Sequence, residues 1–180
     1  MRPRGHAEDV EDVLDVVPEP VERVAESAEQ ARALGEKLAA VLHAGDLLIL
    51  IGDLGAGKTT FTQGLGIGLG VRGHVTSPTF VIARVHPSLV GGPALVHVDA
   101  YRLGGIAELD DLDLDTSLDD AVTVVEWGGG LAEGLAETRL EITITRAHGD
   151  ELDNDHDGRR FRFAPVGDRW IGSHLHEVLA

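Results

Sequence analysis

The run 47-LLILIGDLGAGKTTFT-62 decides how this chain is read. Leu47 to Ile51 is a short apolar stretch of β type, and the residues from Lys58 onward suit a helix. Between them Gly52, Gly57, Lys58 and Thr59 fill the pattern G-x-x-x-x-G-K-[ST], in the strand–loop–helix context that this phosphate-binding motif requires. The physical logic is anion binding. Removing side chains at Gly52, Gly55 and Gly57 lets backbone N–H groups close on a polyphosphate. The following helix aims its unsatisfied N–H groups and positive dipole end at the same charge. Lys58 adds a full positive charge near the β- and γ-phosphates, and the Thr59 hydroxyl is a ligand for Mg²⁺. The expected nucleotide-binding residues are Asp53, Leu54, Gly55, Ala56, Gly57, Lys58, Thr59 and Thr60.

The chain's 180 residues suffice for one α/β domain with its own core and are too few for two ordinary ones. A hydrophobic content of 43% and mean hydropathy of +0.01 describe a soluble globular chain. No apolar run approaches the length needed to span a bilayer, and Met1 to Pro20 is acidic, unlike a secretory signal. The absence of cysteine excludes a disulfide framework and a cysteine-based zinc site, and it fits a reducing cytoplasm, the expected location. The net charge of −16 repels phosphate backbones, so any RNA is expected to be held by a partner protein.

Outward from the loop, the chain reads as follows. Met1 to Val24 is rich in acids and carries Pro18 and Pro20, which predicts a flexible acidic tail ahead of one domain over residues 25–180. Ser27 to His43 predicts a helix with Ser27 and Gln30 as a capping box. Ala31, Leu34, Leu38, Val41 and Leu42 form its apolar stripe, and Gly45 stands where a C-terminal cap belongs. The loop's own helix runs Lys58 to Leu69 and closes at Gly70. Inside it, Gly64, Gly66 and Gly68 each cost about 1 kcal/mol relative to alanine, which implies either close packing against the sheet or a mobile helix end.

Ser77, Pro78, Thr79 and Phe80 make a rigid polar corner before a strand at Val81 to Val85. Local sequence leaves a plain turn and a γ-phosphate-sensing loop equally open. Gly91, Gly92 and Pro93 mark a hairpin turn into Ala94 to Tyr101, an apolar strand of Walker B shape that ends in Asp99. Glu108 to Asp120 alternates leucines with solvated acids. Ala121 to Trp127 is a second strand ending in an acid, Glu126. Asp99 and Glu126 are the expected catalytic pair; either can ligate Mg²⁺ while the other positions the attacking water. Trp127 either covers the nucleotide or caps the sheet. Arg139 to Arg146 and Arg160 to Pro165 alternate with period two, predicting an antiparallel hairpin around the acidic loop 148–158, which carries no metal-ligand spacing. Arg169 to Leu179 predicts a terminal amphipathic helix with Trp170, Ile171, Leu175, Val178 and Leu179 inward.

Four motifs, in this order and spacing, give the chain a family resemblance: GDLGAGKTTFTQGL (Gly52 to Leu65), SPTF (Ser77 to Phe80), HVDAYRL (His97 to Leu103) and VEW (Val125 to Trp127). Over roughly Ser27 to Arg146 the chain resembles the TsaE family, small P-loop ATPases of bacterial tRNA threonylcarbamoyladenosine biosynthesis. The resemblance implies an α/β fold of the P-loop NTPase type: a three-layer sandwich whose mixed sheet has a parallel core and a C-terminal antiparallel hairpin. It implies ATP and Mg²⁺ as cofactors, with Lys58 on the phosphates and Thr59 and Glu126 serving the metal. Asp99 is then needed for hydrolysis or its coupling, Ser77 to Phe80 form a nucleotide-responsive switch, and Trp127 lies close to the nucleotide. Two partners, of TsaB and TsaD type, would carry the threonylcarbamoyl transfer to ANN-decoding tRNAs. This chain would reset that complex and meet tRNA only indirectly. One departure is Ala31, where many relatives have a threonine.

Other classes fit less well. A small-molecule kinase would use Asp99 as base and Arg84 or Arg102 as clamp, yet the residues after Asp99 are acidic, not an arginine-rich lid. A GTPase switch usually needs N-K-x-D, and the only asparagine is Asn154. A binding module without turnover would require Asp99 and Glu126 both to face away from the γ-phosphate.

Overall fold

The computed structural model describes residues 16–76, 83–100, 119–126, 136–146 and 158–180. Its elements are β1 (Val21–Ala25), α1 (Ala28–Ala39), β2 (Leu47–Ile51), α2 (Lys58–Leu69), β3 (Ala83–His86), β4 (Ala94–Asp99), β5 (Ala121–Glu126), β6 (Arg139–Arg146), β7 (Arg159–Val166) and a short α3 (Leu175–Val178). The strands form a seven-stranded sheet in the order β1-β7-β6-β2-β5-β4-β3. β6, β2, β5 and β4 run parallel, while β3 at one edge and β7 and β1 at the other pair antiparallel. This is the expected α/β fold, with its parallel core and C-terminal hairpin.

β2 lies at the centre, and its unbroken run LLILI suits a strand covered on both faces. Leu48 and Leu50 join Leu34, Leu38, Phe61 and Leu65 of α1 and α2, while Leu47 and Ile49 join Val96, Val98 and Val125 on the opposite face. Because β2, β4 and β5 are parallel, their C-terminal ends share one edge of the sheet. Ligands of open α/β sheets bind at that edge.

Ser27 caps α1 by accepting from the Gln30 N–H at 3.2 Å, and the Gln30 side chain accepts from the Glu26 N–H at 2.8 Å. The helix stops at Ala39, short of the expected His43. Gly45 adopts a left-handed conformation (φ 94°), but its N–H donates to Ala121 O at 2.9 Å. It therefore ties the approach of β2 to β5 instead of capping α1. The boundary of the acidic tail also needs correction. Val21 to Val24, assigned to it from composition, lie in β1, which pairs with β7 and buries Val21 and Ala25.

α2 has the expected bounds and closes on Gly70 at φ 66°. Its interior glycines reflect close packing, although mostly against α1. A Cβ on Gly64 would lie 1.9 Å from Arg32 O, and one on Gly68 would lie 2.5 Å from the Ala39 Cβ. Gly35 of α1 answers them, with its own hypothetical Cβ 2.3 Å from Phe61 O. Only Gly66 turns away, toward Val71, Val75 and Leu95.

The single terminal helix expected from Arg169 to Leu179 is broken. A 3₁₀ turn at Asp168–Trp170 is followed by left-handed Gly172 (φ 67°) and His174 (φ 56°), leaving α3 only four residues long. Trp170, Leu175 and Leu179 are buried as expected, but Ile171 and Val178 are only half-buried. Arg169 fixes the turn: both Nε and Nη2 donate to the buried Asp46 carboxylate at 2.8 Å, and Nη2 also meets Val41 O at 2.9 Å.

β3 carries a buried histidine, His86, whose Nδ1 lies 3.4 Å from Arg72 O. Burial holds its pKa below the usual 6.5, partly countered by the Arg72 carbonyl, with His97 and Arg84 adding to the lowering. The unfolded chain then takes up this proton before the folded one does. The histidine's contribution is complete above about pH 6.5 and is lost as the pH falls toward the lowered folded value. Urea unfolding at pH 7.5 and 5.5 is expected to show a larger loss of stability for the wild type than for His86→Phe. Equal losses would place the acid sensitivity elsewhere.

Candidate nucleotide-binding site

At the C-terminal end of β2 the chain leaves the sheet against β6, where a Cβ on Gly52 would lie 2.7 Å from Ile144 O. Gly55 and Gly57 then adopt φ of 76° and 104°, conformations that a side chain would strain. Gly57 starts α2 without a side-chain cap, no acid occupies the first turn, and Lys58 is the first helical residue. Side chains that ordinarily stabilise a helix start are thus replaced by a cation, which suits an external anion. Lys58 is only 6% exposed, and its ammonium donates to Gly52 O at 2.7 Å and Asp53 O at 2.9 Å. Burial lowers its pKa, while the nearby Glu126, Asp53 and Asp99 carboxylates favour the charged form.

The sheet register places Asp99 directly opposite Glu126 on neighbouring parallel strands. Like charges so paired destabilise a sheet unless a cation stands near them, and Lys58 is one such cation. Thr59 Oγ1 lies 3.5 Å from Glu126 Oε1, and His97 Nε2 lies 2.8 Å from the same oxygen. The oxygens of Thr59, Glu126 and Asp99 are hard donors of the kind Mg²⁺ prefers. Among the described residues no cluster of three or more His, Asp or Glu forms a cation cage.

On the other flank of the loop, Arg159 Nε donates to Ala56 O at 3.1 Å and Nη2 approaches Gly55 O at 3.5 Å. A cavity of about 680 Å³ opens beside it, between the loop residues Asp53, Leu54 and Ala56 and the strand residues Ile144, Thr145, Arg146 and Arg160. The β6–β7 register sets Arg146 opposite Arg159 and Thr145 opposite Arg160. In a chain of net charge −16, this gathering of cations is local to the loop.

The structure thus brings together Gly52 to Thr60, Asp99 and Glu126. Trp127 and the corner Ser77, Pro78, Thr79 and Phe80 lie outside the described residues, as do Arg102 and most of the 148–158 insert. Arg84 donates to Thr76 Oγ1 at 3.1 Å, just before that corner. Ala31 faces the core and the Ser27 hydroxyl is engaged as helix cap. Two contacts escaped the sequence reading. Arg159 lies one residue before the expected hairpin strand at Arg160 and opens β7. The His97–Glu126 pair was foreshadowed only by a lone histidine in an otherwise apolar strand.

The family model described as "Threonylcarbamoyl adenosine biosynthesis protein TsaE" matches residues 25–154. The chain belongs to the TsaE family. It is 63% identical to the tRNA threonylcarbamoyladenosine biosynthesis protein TsaE of Streptomyces coelicolor over 140 residues, covering 77% of this chain and 93% of the relative. The Mycobacterium tuberculosis H37Rv protein of the same name is 50% identical over 130 residues, 68% of this chain and 77% of its own. That of Bacillus subtilis is 41% identical over 143 residues, 79% and 84%. The crystal structure of Bacillus subtilis YdiB superposes with a TM-score of 0.69 at 34% identity, covering 91% of this chain and 95% of that one. The family segment contains β2, the loop, Asp99 and Glu126, but ends before β7, so Arg159 lies beyond it.

Proposed function

We propose that this protein binds ATP with Mg²⁺ and hydrolyses it to drive or reset the threonylcarbamoyl-transferase complex that makes N6-threonylcarbamoyladenosine in ANN-decoding tRNAs. It acts with two partner subunits of TsaB and TsaD type and does not itself perform the transfer. The observation that carries the reading is the uncapped, acid-free start of α2, with Lys58 at its head, facing the opposed carboxylates of Asp99 and Glu126. The loop N–H groups and Lys58 hold the phosphates, and the cavity beside Leu54 and Arg146 is of a size that accepts a nucleoside. Thr59 and Glu126 hold the metal, which when bound neutralises charge developing on the phosphates. Asp99, across from Glu126, orients the attacking water. The net charge of −16 supports leaving tRNA contact to the partners.

The test is phosphate release by the purified chain with and without both partners, for wild type and Glu126→Ala. Turnover is expected to be slow alone, to rise with the partners, and to fall on the order of a hundredfold in the variant. Turnover indifferent to the partners, together with a phosphorylated small molecule when metabolites are supplied, would overturn this reading in favour of a kinase.

A further inference from the structure

We propose that His97 is a positioning residue: its Nε2–H fixes one oxygen of Glu126 and so leaves the other to the metal. The inference rests on the reading of Glu126 given above. His97 sits on β4 two residues before Asp99, paired in register with Val124, so it lies one step in from the sheet edge and diagonal to Glu126. It is 0% exposed and Glu126 is 3% exposed. The Nε2–Oε1 distance of 2.8 Å is that of a full hydrogen bond. A carboxylate oxygen accepts and the ring nitrogen donates, so Nε2 carries the proton of this bond.

Nδ1 is buried with no hydrogen-bond partner among the described residues. Its strand neighbours Leu95, Val96 and Val98 on β4 are buried apolar residues. An aliphatic side chain there would cost no unpaired polar atom, so packing alone does not account for an imidazole. What it supplies is a rigid donor to Oε1. Thr59 Oγ1 approaches the same oxygen at 3.5 Å, so Thr59 and His97 both address Oε1. Groups behind a metal ligand that set its orientation typically change metal affinity or activity by about 10- to 100-fold.

The experiment compares His97→Leu, which fills the volume without a donor, with His97→Gln, whose amide N–H reaches the position of Nε2. Both are prepared as the full chain and assayed with the partner subunits. Three quantities are read: thermal unfolding, equilibrium affinity for ADP in EDTA and in Mg²⁺, and the Mg²⁺ dependence of kcat and KM for ATP. His97→Leu is expected to fold and to bind ADP in EDTA as the wild type does. Its half-saturating Mg²⁺ should rise about tenfold and its kcat fall about tenfold. The KM for ATP at saturating Mg²⁺ should hold, and His97→Gln should recover most of both losses. If the leucine variant does not fold, His97→Asn, whose shorter amide mimics Nδ1 instead, takes its place.

Wild-type Mg²⁺ dependence in His97→Leu overturns the proposal, as does an equal loss in His97→Gln. Glu126→Ala separates the two levels. If it destroys Mg²⁺ dependence while His97→Leu does not, only the positioning role fails. If Glu126→Ala itself changes nothing, the underlying assignment of the metal site fails and the positioning role falls with it.

Discussion

Lys58→Ala is expected to bind ATP about a hundredfold or more weakly than the wild type while unfolding within a few degrees of it. The loss of affinity follows from removing a cation that the loop aims at the most highly charged part of the ligand, where a charge-assisted contact of about 3 kcal/mol corresponds to that factor. The small change in stability follows from two opposed effects. The ammonium holds Gly52 O and Asp53 O and offsets the repulsion between Glu126 and Asp99, and both contributions disappear. Burial, however, already disfavours the charged form, as the lowered pKa records, so removing it relieves a desolvation cost. The exposed Asp53 carbonyl region can turn to water instead. Titration with a fluorescent ADP analogue, together with a thermal melt, reads both effects. A dissociation constant within about threefold of wild type would remove Lys58 from the phosphate site.

The largest effect on stability is expected at Gly64, far from any ligand. Alanine in a helix interior normally gains about 1 kcal/mol over glycine. Here its Cβ would sit 1.9 Å from Arg32 O and 2.8 Å from Arg32 C, both backbone atoms that no rotamer change can move. α1 and α2 would have to separate, opening the layer built from Leu34, Leu38, Phe61 and Leu65. Gly64→Ala should therefore cost about 2–4 kcal/mol, at or above the upper range of overpacking mutations. Gly92→Ala is the control: its nearest heavy atom would be Ser88 Oγ at 3.8 Å, and its effect should stay within about 0.5 kcal/mol. Urea titrations of the two variants decide the matter. Equal midpoints would mean that the helices adjust freely at their contact.

What proved legible in the sequence was local. The glycine-rich turn between β2 and α2, the bounds of α2 with its Gly70 terminus, and the strands ending in Asp99 and Glu126 are each encoded within about a dozen residues, the span over which periodicity and capping speak. The misses are mostly non-local. β1 has only Val21 and Ala25 buried and sits in acidic, proline-flanked surroundings; its partner β7 lies at the other end of the chain, so nothing nearby marks it as a strand. Gly45 looked like a helix cap because its conformational freedom is visible in sequence, whereas the Ala121 carbonyl that claims its N–H is not. The glycines of α2 announced a close approach without saying to what. His97 and Arg159 became meaningful only once strand register set them against Glu126 and the loop carbonyls.

The central place of β2 also governs when the protein can acquire its site during synthesis. Its two neighbours, β5 and β6, begin at Ala121 and Arg139, and β1 must wait for Arg159. Contacts between such distant segments form slowly because long loops must close first. A growing chain therefore carries LLILI with both edges unpaired until β5 has emerged at Glu126, a stretch prone to pair with other chains. The glycine-rich loop, written in the first third of the sequence, takes its folded place beside β6 only after Arg146 has emerged.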